Sequence, residues 1–297
     1  MSNFTRKISN MSTLQNQLNT NDFLQTVYKD LVQNGKAFLA FRNDEATIYY
    51  KGRQLCNLKS SNGYEPLVYK HYLPIIRSRR LADSSIKGSY SLKQWREDTG
   101  IMGLSFNDVI EEICDNIKKE RSPEGLQASH FYRFSSLNPE ASNELVLLDI
   151  EAEFSGTGEK TDRIDLVFYH TIDKRLMFVE VKRLSDKRLY KPEESPEVIS
   201  QLKQYQNRIK LEKELINNQY NNTIEYYNAL TGGNLPLITL ETAPLLGLLL
   251  VEYGKEGTTK AKEVKKMVKN SGFKVYVIGN TSNADEKTIA EIYKQFK

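Results

Sequence analysis

The stretch Arg163 to Arg183, RIDLVFYHTIDKRLMFVEVKR, constrains the fold more than any other part of the chain. Two apolar, β-rich runs, IDLVFY and LMFVEV, flank the polar break Thr171-Ile172-Asp173-Lys174-Arg175, which is the pattern of a β-hairpin. Charge interrupts both runs: Asp165 the first, Glu180 and Lys182 the second. Side chains alternate across a strand, so Glu180 and Lys182 share a face. With the turn centred on Asp173-Lys174, Asp165 lies opposite Lys182 and diagonal to Glu180, within reach of long side chains.

Such a meeting has an electrostatic cost. Two carboxylates about 5 Å apart repel by roughly 3 kcal/mol at an effective dielectric near 20. Protonation of one, compensation by Lys182, or a divalent cation between them would each relieve it. Hard carboxylate oxygens suit Mg²⁺ or Mn²⁺, which keep waters and bind phosphates. A metal and a lysine beside a phosphate form a hydrolytic arrangement. The alternative is an exposed hairpin edge that carries all three groups as a solvated face.

The hairpin resembles the core of the PD-(D/E)XK nuclease superfamily: an Asp on one strand (Asp165), then acidic residue, any residue, Lys on the next (Glu180-Val181-Lys182). The RecB-type branch of that family carries Gln-x-x-x-Tyr on the following helix. Here Gln201-Leu-Lys-Gln-Tyr205 follows a Pro-rich entry, Lys191 to Pro196. Gln201 and Tyr205, four apart, project from one helix face. The resemblance spans about Leu104 to Lys297. It implies an α/β fold with a restriction-endonuclease-like mixed sheet flanked by helices. It implies Mg²⁺ or Mn²⁺ on Asp165, Glu180 and the Val181 carbonyl. It implies Lys182 as stabiliser of the attacking water or of developing phosphorane charge, with Gln201 and Tyr205 orienting the lysine, the metal site or a phosphate. The family often adds another acidic residue; Glu112 and Glu120 on a helix, or Asp149, Glu151 and Glu153 on a strand, are the candidates.

Composition narrows the classes. A chain of 297 residues with 39% apolar residues is globular rather than disordered. The longest apolar run, Leu245 to Val251, is too short to span a bilayer. The N-terminus lacks the apolar core of a signal peptide. Two cysteines, Cys56 and Cys114, make neither a zinc site nor a disulfide framework and read as buried thiols in a reducing cytoplasm. Three scattered histidines give no histidine-based metal motif. Residues 1–100 hold 15 Lys+Arg against 8 Asp+Glu, so the positive charge sits in the front of the chain.

Taken in order, residues 1–20 are Asn-, Ser-, Thr- and Gln-rich and read as loose. A helix from Asn21-Asp22 to Gln33 and short strands within Lys36 to Leu58 form a smaller N-terminal α+β domain. Arg77-Ser78-Arg79-Arg80 is the densest basic cluster. The boundary falls in the polar stretch Asp83 to Gly103, giving domains 1–95 and 96–297. The second domain reads as helix Leu104–Glu120, loop Ser122–Ser142, strand Leu145–Phe154, a glycine-containing loop Ser155–Thr161, the hairpin, a helical stretch Pro196–Tyr227, a strand buried on both faces at Leu245–Val251, a basic amphipathic helix Lys260–Asn270, a strand Lys274–Ile278 and a closing helix. Gly254 to Thr259 lacks the lysine spacing of a phosphate loop.

The sequence thus predicts a cytoplasmic Mg²⁺-dependent DNA nuclease acting on double-stranded DNA. By the resemblance, its settings are restriction or phage defence, mobile-element biology or repair. A protein partner or a homodimer is expected and a membrane is not. The competing expectation is a catalytically silent nucleic-acid-binding or assembly subunit that keeps the nuclease fold.

Overall fold

The computed structural model describes residues 4–73, 88–99, 105–120, 122–142, 144–154, 162–190, 196–251 and 257–297. The basic cluster Arg77–Arg80, the loop 155–161 and the Pro-rich segment 191–195 lie outside the described residues. The chain is mixed α/β and divides into two compact units, Arg6–Arg133 with Leu137–Pro139, and Glu140–Lys297 with Met1–Thr5 and Phe134–Ser136. Among the described residues no helix is long and apolar enough to cross a membrane.

The unit built from Arg6–Arg133 opens with helix α1 (Met11–Thr20), where the sequence reads as loose. Asn10 caps it by accepting from the Thr13 N–H, and Leu14 and Leu18, one turn apart, are buried. Two buried leucines suffice to anchor a turn that dense Asn and Gln disguise. Helix α2 (Asp22–Val27) continues through a π turn to Val32, and Gly35 at φ 63° ends it. Strands β1 (Ala37–Arg42), β2 (Glu45–Tyr50), β3 (Arg53–Lys59), β4 (Pro66–Tyr69) and β5 (Ser89–Ser91) form an antiparallel meander in that order. Its first two turns put Asn43-Asp44 and Lys51-Gly52 at positive φ, the geometry that matches strand twist in two-residue hairpins. Asp44 ties the first turn down: its carboxylate accepts from the Ser9 N–H (2.6 Å), Ser9 Oγ (2.8 Å), Ser60 Oγ (2.6 Å) and the Tyr64 hydroxyl (3.1 Å).

Helices α3 (Leu92–Thr99), α4 (Phe106–Glu120) and α5 (Pro123–Ser129) complete this unit. The compact units therefore divide near residue 133 rather than 95. Helix α4 turns its stripe Val109, Ile113 and Ile117 inward and packs on α2 and β3, so its apolar face is spent within the first unit. Helix α5 stands where the sequence reads as loop; Ser122 caps it, Pro123 opens it, and its few apolar residues leave no periodic signal.

The second unit is organised on a five-stranded sheet of order β10-β9-β8-β7-β6. Its strands are β6 (Leu145–Phe154), β7 (Asp162–His170), β8 (Arg175–Arg183), β9 (Leu245–Val251) and β10 (Lys274–Ile278). β6, β7 and β8 run antiparallel, whereas β8, β9 and β10 are parallel. Strand β9, flanked by β8 and β10 and almost wholly apolar, is covered on both faces as its composition requires. At Gly247 a β-carbon would lie 2.2 Å from the Phe296 ring, so this glycine lets helix α9 (Glu286–Phe296) close onto the sheet. The long helical stretch is two helices, α6 (Glu197–Leu211) and α7 (Lys213–Thr231), joined at Glu212; Gly232 at φ 68° ends the second. Helix α8 (Gly257–Asn270) links β9 to β10. Phe4 joins this unit's core by stacking on Phe154 at 5.4 Å and meeting Tyr220 edge-on at 5.7 Å.

Candidate functional site

The hairpin forms where the sequence places it, with a different register. Its last turn-side pair is His170–Arg175, and the ladder runs to Leu166–Val179. Continued by one step, that register sets Asp165 across from Glu180 rather than Lys182, so the turn is centred one residue earlier than Asp173-Lys174. The ladder stops there. In place of a backbone acceptor, Asp165 Oδ2 takes the Val181 N–H at 2.7 Å. An extended residue directs its N–H and C=O to the same side, so the Val181 carbonyl faces the gap that Asp165 occupies.

Glu180 and Lys182 share a face, as alternation requires, and are 1% and 2% exposed. Lys182 Nζ donates to Glu180 Oε1 and lies 3.4 Å from the Val181 carbonyl oxygen. Glu180 Oε2 is buried and, among the described residues, accepts from none. Such an oxygen costs about 1–3 kcal/mol, more when charged, unless a proton or a cation meets it. Asp165 is half-buried as a residue, the least enclosed of the trio.

Each group is displaced from its ordinary titration. Burial pushes the Asp165 carboxyl up against the opposing pull of Lys182, the Val181 N–H, Arg188 and Arg163. Burial, then repulsion from Asp165, pushes Glu180 up to about 8. Burial alone would lower Lys182, but Glu180 and Asp165 outweigh it and hold the ammonium up. Carboxyls displaced by burial and by each other beside a retained cation are characteristic of functional sites.

The helix α6 residues act on the strand rather than on the trio. Tyr205, fully buried, donates its hydroxyl to the Arg163 carbonyl, two positions before Asp165. Gln201 Nε2 donates to the Tyr205 oxygen at 2.6 Å, and Gln201 Oε1 is buried with no partner among the described residues. This pair fixes the start of β7 and hence the height of Asp165.

The further acidic candidates separate. Glu112 and Glu120 belong to the other unit. Asp149 is buried, accepts from the Tyr220 hydroxyl at 3.0 Å and from the next residue's N–H, that of Ile150, at 2.8 Å beside the register shift of β6, so it is not a solvent-face residue. Glu151, at φ 46°, and Glu153 lie 3.2 and 3.9 Å from the Arg163 guanidinium, which pairs with both. Among the described residues no three His, Cys, Asp or Glu side chains gather as a metal cage. The donor set is two carboxylates and a carbonyl, which fits a cation that keeps its waters, as Mg²⁺ does, and not one that demands four protein ligands. The cavities of about 250 and 300 Å³ in this unit are lined by other residues.

One contributor was missed. Arg188, held by a fork of bonds to Asp186 (Nε to Oδ1 and Oδ2 at 3.0 Å, NH2 to Oδ2 at 2.6 Å), acts electrostatically on Asp165, Glu180 and Lys182 alike. The signal was Asp186-Lys187-Arg188 directly after the E-x-K strand, a short capped turn.

No family model, no curated protein and no solved structure matches this chain.

Proposed function

We propose that the chain is a Mg²⁺-dependent nuclease whose second unit is a restriction-endonuclease-like core acting on double-stranded DNA. The observation that carries this reading is the convergence of Asp165, Glu180 and Lys182 where the β7–β8 ladder ends, with one buried Glu180 oxygen unpartnered. Asp165, Glu180 and the Val181 carbonyl would hold the cation. The cation supplies Lewis acidity toward a phosphoryl oxygen and a more acidic bound water. Lys182 places a positive charge against the developing phosphorane, and Gln201 with Tyr205 keeps Asp165 at its post.

The test is cleavage of plasmid and linear duplex DNA with Mg²⁺ or Mn²⁺, compared with Lys182→Met and Asp165→Asn. Metal-dependent cleavage lost in both variants is expected. A wild-type protein inert on DNA and RNA with both metals would end the reading.

The near-complete burial of Glu180 and Lys182, paired to each other, favours a second reading: a subunit that keeps this architecture and binds nucleic acid without cutting it. Binding unchanged by Asp165→Ala and Glu180→Ala, with no cleavage by the wild type, would select it.

A further inference from the structure

Helix α8 carries five lysines, Lys260, Lys262, Lys265, Lys266 and Lys269, against a single acid, Glu263. Its apolar side, Ala261, Val264 and Val268, is buried, and the helix packs on β10. At 100° per residue, Lys265, Lys269, Lys262 and Lys266 fall within an arc of about 100° on one flank. Glu263 points to the other flank, near enough to Tyr190 to push its phenol up alongside burial. Lys262, Lys266 and Lys269 are exposed and Lys265 partly so. Among the described residues their ammonium groups make no hydrogen bond or ion pair. One flank of this helix is therefore a row of uncompensated positive charge.

We propose that this lysine row is a docking surface for the phosphate backbone of duplex DNA, read by charge and not by sequence. The choice of DNA rests on the nuclease reading; the row itself does not. Lys262 to Lys269 spans about 10 Å of helix, and duplex DNA presents a phosphate charge every ~1.7 Å of its axis, so each lysine has phosphates in reach. An anionic membrane is the poorer occupant. Membrane-surface helices insert an apolar face, and the apolar face of α8 is already buried against the sheet. The row is also aligned with the candidate site. β8, β9 and β10 are parallel, so α8 must return from the end of the sheet where Arg183 pairs with Val251. Lys262 thus lies nearer that end than Lys269, and the row leads from the end bearing Lys182 along the unit.

Fluorescence anisotropy of a labelled 20-base-pair duplex with the full chain in EDTA tests this without cleavage. Lys262→Glu/Lys266→Glu/Lys269→Glu is expected to weaken binding at least about tenfold at 100 mM salt, since each lysine carries about one unit of the salt dependence. The neutral triple Lys→Gln variant at these positions is expected to lower the slope of log K against log salt by about 2–3. Unchanged affinity and slope in both variants, no duplex binding by the wild type, or preferential binding to phosphatidylserine vesicles overturns the proposal. Row-dependent binding without metal-dependent cleavage ends the nuclease reading and leaves the row. Cleavage with row-independent binding does the reverse.

Discussion

The Tyr205 hydroxyl donates to the Arg163 carbonyl across 42 residues of sequence, and this one bond couples helix α6 to the strand that presents Asp165. The acceptor is a backbone group, so what the helix controls is the position of the chain and not the charge of the site.

Tyr205→Phe should consequently behave as a positioning defect. It removes the bond to the Arg163 carbonyl and leaves the Gln201 amide without its acceptor, costing about 1–3 kcal/mol. Urea unfolding reads that loss. DNA cleavage should fall in kcat, while duplex affinity in EDTA stays within about twofold.

The trio gives a sharper contrast. Asp165→Asn and Glu180→Gln keep shape while removing negative charge, so metal-dependent cleavage should fall by roughly 10²-fold or more, as when a charge-stabilising group is deleted. Glu180→Gln should lower the unfolding midpoint, because it leaves the buried Lys182 ammonium without the carboxylate it is paired with. Lys182→Ala should be destabilised by about 3–5 kcal/mol, because it strands Glu180 inside. Thermal melts beside nicking assays separate these cases.

Asp44 sets a pH dependence in the first unit. Burial works to raise its carboxyl, but the bonds from Ser60, Ser9 and Tyr64 outweigh it and hold it below the usual carboxylate range. A carboxyl depressed by folding stabilises above its unfolded value and loses that contribution as pH falls through its folded value. Acid unfolding below about pH 4 should therefore be blunted in Asp44→Asn, which at neutral pH is less stable by about 1–3 kcal/mol. Circular dichroism across pH 2–7 on both proteins checks the crossing.

Gly247 is the test of the second unit's closure. A β-carbon there meets the Phe296 ring at 2.2 Å, so Gly247→Ala must displace α9 or the ring and should cost about 1–3 kcal/mol. Partial relief in Gly247→Ala/Phe296→Leu, measured by denaturant midpoint, would locate the clash.

Strongly periodic segments were legible from sequence. β1, β2, β6, the β7–β8 hairpin and β9 stand close to their apolar runs, because a buried strand must carry its own apolar surface. What escaped was set by capping and by contacts distant in sequence. α1 and α5 rest on Asn10 and Ser122 with a few buried side chains. The affiliation of α4 depends on which apolar surface lay closest, and no local pattern records that. At the site, alternation placed Glu180 and Lys182 together. The register needed the true turn, and the partners of Tyr205 and Arg188 needed the fold.

Phe4 has a consequence for how the protein is made. It precedes the first unit along the chain, yet its ring belongs against Phe154 and Tyr220, which follow the whole intervening unit. Units usually fold in the order they emerge from the ribosome, but here the later unit lacks an aromatic that left the ribosome before the earlier one began. Cutting the chain at residue 133 would thus deprive the later unit of a core ring, a hole of the kind that costs about 3–5 kcal/mol. Adding back a short peptide bearing that phenylalanine should restore cooperative melting.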